Sequence, residues 1–444
     1  MKDWLHAHPD VKTIRVAAAD LNGQARGKRI PVRFAEKVVA EGTRFPFSVL
    51  NLDIWGEDIE DSPLVFDAGD RDGILLPTER GFLPMPWLEA PTALLPIWMF
   101  HEDGSPYDGD PRHALNAVVD RYRSRGLTPV VATELEFYLI DDSGRAPRVP
   151  PSPRSGKRRS GAETLALRAL DSFDVFFTDL YEACEAMDIS ADTAISEAGP
   201  GQFEINLMHG PDALKAADDA WLFKLLVKGL ARRHSMAASF MAKPYEQFSG
   251  NGMHMHFSVL DAAGRNIFDN GGPEGSEALK QAVAGCLAAL PDQTLIFAPH
   301  ANSFDRLVPE RHAPTGIAWA YENRTSAIRI PSGSPKARRI EHRVAGGDVN
   351  PYLMIAAVLG AALYGIEEGL EPPPPITGNA YALDLVQIPD TWEGALKAFE
   401  ESTILPRIFK DELLRNYILT KRQEIHYMAE LSTEEQVELY LDTV

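Results

Sequence analysis

Polar and apolar residues alternate along several short stretches of this chain, as they do in β-strands that have one polar face. Successive side chains of a strand point to opposite faces, so residues two positions apart share a face. The alternation predicts strands within 130–139, 201–207, 252–260, 323–331 and 337–344. Apolar residues at helical spacing predict amphipathic helices at 173–187, 212–238, 276–290, 351–369 and 393–401. This mixture of elements indicates an α+β fold.

Two domains are predicted, with a boundary near residue 105. A chain of 444 residues exceeds the usual size of a single hydrophobic core. The first domain, 1–105, contains a strand-like stretch at Thr13–Asp20. Asp110 followed by Pro111 predicts the beginning of a helix, because proline fits the first turn of a helix. The second, larger domain is therefore 106–444.

Composition and charge limit the class of protein. The net charge of −20 argues against binding to nucleic acid, whose phosphates would be repelled. No run reaches the roughly 18 uninterrupted apolar residues of a membrane helix, and the first residues lack the apolar run of a signal peptide. Two cysteines form no disulfide framework. We therefore expect a cytoplasmic protein without a membrane partner.

The polar faces of the predicted strands carry carboxylates, histidines and arginines, and almost no lysine. Their chemically capable residues are Glu134, Glu136, Glu204, His254, His256, Ser258, Arg324, Arg329, Arg339, Glu341 and Arg343. Clustered carboxylates raise one another's pKa unless a cation neutralises them, and carboxylates with one histidine suit Mg²⁺ or Mn²⁺ rather than zinc. Guanidinium groups match phosphate oxygens. These residues together favour phosphoryl transfer in a water-filled cavity. The alternative is a sheet whose polar face contacts solvent and has no catalytic role.

The two arginines of one predicted strand do not share a face. Arg324 and Arg329 are separated by an odd number of residues, so their side chains point to opposite faces of a regular strand. If both belong to one site, a bulge or the edge of the strand has to lie between them.

Longer segments resemble the glutamine synthetase family, and more closely its γ-glutamylputrescine synthetase branch. The matching segments are DLNGQARGKRIP, TELEFYL, SEAGPGQFEINL, FMAKPYEQFSGNGMHMH, NSFDRLVP, ENRTSAIRIP and ARRIEHRVAGGDVNPYL. The resemblance implies an N-terminal β-grasp domain and a catalytic domain with a curved antiparallel sheet backed by helices. It also implies a homo-oligomer of two stacked rings of five or six subunits, with a dodecamer expected, in which the neighbouring subunit's N-terminal domain completes each active site.

The resemblance also implies a role for each matching residue. The metal on the glutamate side is expected on Glu136, Glu197 and Glu204, and the metal on the nucleotide side on Glu134, His254 and Glu341. Arginines around the transferred phosphate and the glutamate carboxylate match Arg324, Arg329 and Arg343; the first two are expected to be catalytic and Arg343 to bind substrate. Glutamate contacts match Gly250 and Arg306, and nucleotide contacts match His256, Ser258 and Arg339. The implied cofactors are ATP and two or more Mg²⁺ or Mn²⁺ ions.

Three departures from the ammonia-using members are informative, two at the amine site and one in the loop that binds glutamate. Their Phe-Asp-Gly-Ser-Ser stretch is replaced by FPFSVL, with Pro46 near the position of the ammonium-binding aspartate. Their flap glutamate is replaced by His312, and Ser249 replaces an asparagine of the glutamate loop. The loss of both acidic groups predicts an organic amine as the substrate, with His312 as a candidate base. Asp53, Glu57 and Asp58 are candidates for binding a distal ammonium group.

The expected reaction joins L-glutamate to a small amine through γ-glutamyl phosphate and converts ATP to ADP and phosphate. Putrescine is the leading amine, monoamines such as ethanolamine, methylamine or isopropylamine come second, and ammonia comes third. A non-catalytic member of the family would be expected to lose metal ligands, but all six matching positions are filled. A guanidino kinase is disfavoured by the match in the N-terminal domain.

Overall fold

Two β-sheets organise the chain in the computed structural model, which describes residues 1–65, 67–144, 146–308 and 313–444. The strands are β1 Thr13–Ala19, β2 Ala25–Pro31, β3 Thr43–Pro46, β4 Asp72–Pro77, β5 Leu83–Pro84, β6 Thr92–Phe100, β7 Thr128–Ile140, β8 Ala191–Ser196, β9 Gln202–Gly210, β10 Ala237–Ser239, β11 Met253–Leu260, β12 Trp319–Tyr321, β13 Ile328–Ile330 and β14 Ile340–His342. The helices are α1 Lys2–Ala7, α2 Ala35–Glu41, α3 Pro111–Arg123, α4 Leu167–Asp171, α5 Asp174–Ala186, α6 Ala213–Arg233, α7 Glu277–Phe297, α8 Ala301–Arg306, α9 Pro351–Glu368, α10 Trp392–Glu400, α11 Asp411–Met428 and α12 Thr433–Thr443.

The N-terminal sheet has six strands in the order β2-β1-β6-β4-β3, and β5 also pairs with β6. β1 and β6 are parallel and the other pairs are antiparallel, which is the mixed sheet expected of a β-grasp domain. Ile14 and Val16 of β1 share a core with Val38 of α2. β6 ends before the expected boundary at residue 105 and α3 begins after it. That the two parts are separate domains stays a prediction.

The second sheet has eight strands in the order β12-β13-β14-β11-β7-β9-β8, and β10 also pairs with β7. The long strand β7 is antiparallel to β9 and β11, so residues from three predicted strands lie side by side. The predicted strands at 323–331 and 337–344 are each only three residues long. Pro331 and Pro335 lie between them, and proline cannot donate a ladder hydrogen bond.

Long apolar helices pack with this sheet in one core, which contains most of the buried residues of α6, α7 and α9. The helix predicted to run to residue 238 ends at Arg233, because Ser235 has a left-handed backbone with φ 59° and the chain then enters β10. α7 runs beyond its predicted end at residue 290, through Pro291. α9 is long and apolar enough to cross a membrane, but 78% of it is buried, as in the core helix of a folded domain. The architecture is α+β, as predicted.

Candidate active site

One face of the second sheet brings together residues from β7, β9 and β11. His254 lies opposite Glu134 across the β7–β11 pair, and Glu134 lies opposite Asn206 across the β7–β9 pair. Glu136 lies opposite Glu204 in the next row of the same face. The alternation along each strand places apolar partners such as Leu135 in the core behind them, so the pattern in the sequence correctly predicts which side chains share this face.

Glu341 of β14 extends the same face toward the edge of the sheet. It lies opposite His256 on one side and Arg329 on the other. Its carboxylate accepts hydrogen bonds from Arg329 Nη1 at 2.6 Å and from Arg343 Nη1. Burial alone would raise the pKa of Glu341, but the charge of Arg343 and its other cationic neighbours lower it to about 2. The expectation of a wet carboxylate is wrong, because Glu341 is only 1% exposed.

Two groups of side chains on this face could hold a metal ion. The first is Glu134, His254 and Glu341, and the second is Glu136, Glu204 and His254, with the ligand atoms of each group within 4.8 Å of one another. The first group contains the three residues expected on the nucleotide side. The second contains two of the three expected on the glutamate side, and shares His254 with the first.

Glu197 completes the acidic cluster from the loop after β8. Burial and the charge of Glu197 raise the pKa of Glu136, and burial and the charges of Glu134, Glu136 and Glu197 raise the pKa of Glu204. Burial likewise raises the pKa of Glu197. A divalent cation at this position would relieve the repulsion, so the cluster fits a metal site.

Glu134 is the exception among these carboxylates. Burial opposes its ionisation, yet hydrogen bonds from His254 and His256 hold its pKa far below the ordinary value. His254 Nδ1 is 3.1 Å from one carboxylate oxygen of Glu134, and His256 Nε2 is 3.0 Å from the other. Arg339 Nε in turn donates to His256 Nδ1 at 3.2 Å. This chain of contacts fixes the orientation of both imidazole rings.

A cavity of about 370 Å³ opens beside this chain of contacts. Glu134, His256, Ser258 and Arg339 line it, so three expected nucleotide contacts lie together. Its other walls come from β9 and from the segment before β14. A cavity that adjoins a group able to hold a metal has the arrangement that a nucleotide triphosphate needs.

Arg306 and Gly250 lie together at the other end of the site. A Cβ atom at Gly250 would lie 2.4 Å from the Ala242 carbonyl oxygen and 2.8 Å from Cγ of Arg306, so only glycine fits there. Arg306 is 5% exposed and donates to the Val344 carbonyl at 2.7 Å. Burial lowers the pKa of its guanidinium. The backbone of the glycine loop and the arginine therefore define one rigid wall.

Arg324 and Arg329 reach the site from different local structures. Arg329 lies in β13, while Arg324 lies in the turn before that strand. Of the two predicted arrangements, a bulge or the edge of the strand, the structure has the second. Arg324 is exposed, and its charge acts on Glu197. It therefore lies near the acidic cluster without belonging to the sheet.

Of the residues expected at the amine site, some are exposed beside a cavity and others are buried or lie outside the described residues. His312 lies outside the described residues, and Pro46 ends β3. Asp53 is unsuited to bind an ammonium group directly, because it is 1% exposed and its Oδ1 accepts hydrogen bonds from three backbone N–H groups. Glu57 and Asp58 are exposed and line a cavity of about 500 Å³.

Sequence reasoning missed two residues near the arginines. Glu322 lies 3.5 Å from Nη2 of Arg329, and it could have been found, because it begins the motif ENRTSAIRIP. The other is Tyr381, whose hydroxyl is influenced by the charges of Arg343 and Arg306. No alternation or spacing around Tyr381 indicates such a position.

Comparison with known proteins places this site in a family. The model of the glutamine synthetase catalytic domain matches residues 108–440. The γ-glutamylputrescine synthetase of Escherichia coli (strain K12) is 36% identical over 99% of this chain and 94% of its own length. The γ-glutamylethanolamide synthetase of Streptomyces coelicolor is 33% identical over 95% and 90%, and the glutamate–isopropylamine ligase of a Pseudomonas species is 32% identical over 100% and 98%.

Solved structures agree with these relatives. The structure of apo GmaS superposes with a TM-score of 0.83 and 27% identity, covering 97% of this chain and 96% of that one. A complex of GmaS with ADP gives a TM-score of 0.84 and 26% identity, covering 97% of both chains. The chain therefore belongs to the glutamine synthetase family.

Proposed function

We propose that this protein is an ATP-dependent ligase that joins the γ-carboxylate of L-glutamate to an organic amine, with putrescine favoured, through a γ-glutamyl phosphate. The observation that carries the proposal is the single sheet face on which carboxylates, His254 and paired arginines converge. Three relatives that match nearly the whole chain are named for joining glutamate to putrescine, ethanolamine or isopropylamine.

The acidic residues of the site would hold two Mg²⁺ or Mn²⁺ ions. One would be held by Glu134, His254 and Glu341, and the other by Glu136, Glu197 and Glu204. Bound there, such ions neutralise the charge of phosphate and carboxylate oxygens. Carboxylate-rich ligands with one imidazole are the set that these ions accept.

The arginines position and neutralise the phosphoryl group during the first step. A γ-carboxylate oxygen of glutamate attacks the γ-phosphorus of ATP, the bond to the bridging oxygen breaks, and ADP leaves. Arg329 and Arg324 contact the oxygens of the group in transfer, while Glu341 holds Arg329 in place through its 2.6 Å hydrogen bond. Gly250 and Arg306 bind the rest of the glutamate, and His256, Ser258 and Arg339 bind the nucleotide.

The amine then attacks the carbonyl carbon of γ-glutamyl phosphate, and phosphate leaves. An alkylamine with a pKa near 10 is only about 0.1% neutral at pH 7, so a base has to remove its proton. His312 is the proposed base. Putrescine recovers free energy by burying four methylenes, about 3 kcal/mol, or about a hundredfold in affinity. Glu57 and Asp58, presented by a neighbouring subunit, would bind its distal ammonium group.

We also propose the assembly and location that the family resemblance implies. The subunits form two stacked rings, a dodecamer in the cytoplasm, and the N-terminal domain of each subunit completes the site of its neighbour. Size-exclusion chromatography with light scattering tests the assembly. A monomer that is fully active would contradict the shared site.

The decisive experiment is phosphate release with glutamate, ATP and a panel of amines. We expect at least one primary alkylamine to exceed ammonium tenfold or more in kcat/KM, with putrescine the best. Ethanolamine or isopropylamine as the best substrate would support the second candidate, a monoamine ligase, which the relatives at 33% and 32% identity favour. Ammonium as the best substrate would contradict the organic-amine proposal.

A further inference from the structure

Tyr381 carries a buried hydroxyl group that makes no hydrogen bond to the described residues. The residue lies in a short turn of 3₁₀-helix, Ala380–Ala382, between α9 and α10. Its side chain is partly buried, but its hydroxyl oxygen is shielded from water and has no hydrogen-bond partner among the described residues. Leaving a buried hydroxyl unpaired is unfavourable, so such a group needs an explanation in a native structure.

Two guanidinium groups act on this hydroxyl through their charges. One belongs to Arg343, whose backbone N–H donates to the Ala327 carbonyl at 3.0 Å, in the same turn that bonds the segment of Tyr381. Burial raises the pKa of Tyr381, and the charges of Arg343 and Arg306 oppose that shift without cancelling it, so the hydroxyl keeps its proton and can donate. Nε of Arg343 is also buried and has no partner among the described residues. Tyr381, Arg343 and Arg306 all carry hydrogen-bond donors. The Tyr381 hydroxyl and Arg343 Nε have no acceptor among the described residues.

Local hydrogen bonds hold Tyr381 at this position. Asn323 Nδ2 donates to the Gly378 carbonyl at 2.6 Å, and the backbone N–H of Ala380 donates to Thr325 Oγ1 at 2.9 Å. The turn that precedes β13 therefore anchors the segment immediately before the tyrosine. A side chain fixed in this way loses little conformational freedom when a ligand binds it.

We propose that the Tyr381 hydroxyl binds the α-carboxylate of L-glutamate together with Arg306 and Arg343. The inference rests on the proposed ligase function and names a substrate contact that the family motifs do not include. A set of donors suits a carboxylate, and charge-assisted hydrogen bonds are the strong ones. The γ-carboxylate has to lie near the acidic cluster that would hold the metals, which leaves the α-carboxylate for the donor end.

The test is Tyr381→Phe, which removes one oxygen atom and keeps the ring. We expect KM for glutamate to rise about 10- to 100-fold, the range of a hydrogen bond to a charged group, while KM for ATP stays within twofold. The inhibition constant of 4-aminobutyrate, which is glutamate without its α-carboxylate, should not change. Tyr364→Phe is the matched control, because the Tyr364 ring packs under Arg407 and away from this donor set. It should leave every constant unchanged.

An unchanged KM for glutamate in Tyr381→Phe would overturn the proposal, and so would equal weakening of glutamate and 4-aminobutyrate. Equilibrium dialysis of radiolabelled L-glutamate separates this failure from failure of the ligase function. If the wild-type protein releases no phosphate with any amine yet binds glutamate, and Tyr381→Phe binds it at least tenfold more weakly, the contact stands and the ligase proposal falls. If neither protein binds glutamate, both proposals fall.

Discussion

Glu341→Gln tests whether the arginines of the site depend on one buried carboxylate. Glu341 is 1% exposed and accepts hydrogen bonds from both Arg329 and Arg343. Glutamine has nearly the same shape, but it removes the charge and turns one acceptor oxygen into a donor that faces a guanidinium group. Breaking a buried ion pair by removing one partner costs about 3–5 kcal/mol.

That free energy corresponds to a measurable shift in melting temperature. An unfolding entropy of about 2.1 cal/mol/K per residue gives ~0.9 kcal/mol/K for 444 residues. Glu341→Gln should therefore lower Tm by about 3–5 °C. Differential scanning calorimetry in EDTA measures this effect without contributions from bound metal. In the presence of Mg²⁺ and ATP the variant should also gain less stability than the wild type, because a proposed metal ligand is lost.

Glu322→Gln is the matched control for this experiment. Glu322 contacts the same arginine, with its carboxylate 3.5 Å from Arg329 Nη2, but its side chain is 50% exposed. Water screens an exposed pair, so its loss should cost less than about 1 kcal/mol and change Tm by about 1 °C at most. Equal melting temperatures for Glu341→Gln and the wild type would refute the reasoning, and so would an equal loss in the two variants.

Five further predictions concern the metals (two), the phosphoryl group, the glutamate wall and the amine. The pKa of Glu136 is raised to about 8 and that of Glu204 to about 10, so metal binding should release protons. The affinity for Mn²⁺, measured by calorimetry, should therefore rise between pH 7 and 10. An affinity that does not vary with pH would exclude these two residues as ligands. The same raised values make the metal-free protein lose stability as pH rises from the ordinary value of 4.5 through 8 to 10, and Mg²⁺ should offset that loss. Arg329→Lys should lower kcat more than it raises KM in steady-state assays, because lysine lacks the planar fork, and a change in KM alone would contradict this role. Gly250→Ala should raise KM for glutamate at least tenfold, since its Cβ would displace the Arg306 side chain, and unchanged kinetics would show that the wall is not rigid. His312→Glu should narrow the preference for alkylamines over ammonium in phosphate release, and a preference that does not change would exclude His312 from the amine site.

The alternation in the sequence predicts the polar face of β7, β9 and β11 because a period of two fixes which side chains share a face. It does not predict what covers that face. Glu341 has the expected parity, yet two arginines and the neighbouring strands bury it. Similarly, the sequence makes Asp53 a candidate for binding an ammonium group, but its carboxylate accepts hydrogen bonds from backbone N–H groups of its own turn. These hydrogen bonds depend on the local fold, which the sequence pattern does not indicate.

The helix α11 was not predicted, and its buried face explains why. Lys421 and Glu424 are completely buried there and bond to each other at 2.7 Å. Both also bond to the side chain of Asn22, in the turn after β1. A helix that buries charged residues lacks the apolar stripe by which helices are recognised in sequences. Such contacts between residues about 400 positions apart become visible only in the folded structure.

His254 belongs to both groups that could hold a metal, and its chemistry makes the two sites unequal. A neutral imidazole has one nitrogen with a free lone pair, while the other carries a proton. One ion can take that lone pair, so the second ion has to be bound by carboxylate oxygens alone. Oxygen-only sites favour Mg²⁺ and are tuned by the number of ionised carboxylates. If the protein binds the two proposed ions, they should therefore bind one after the other. Occupancy of the second site would then vary with the free Mg²⁺ concentration, and so would the fraction of enzyme that is ready for substrate.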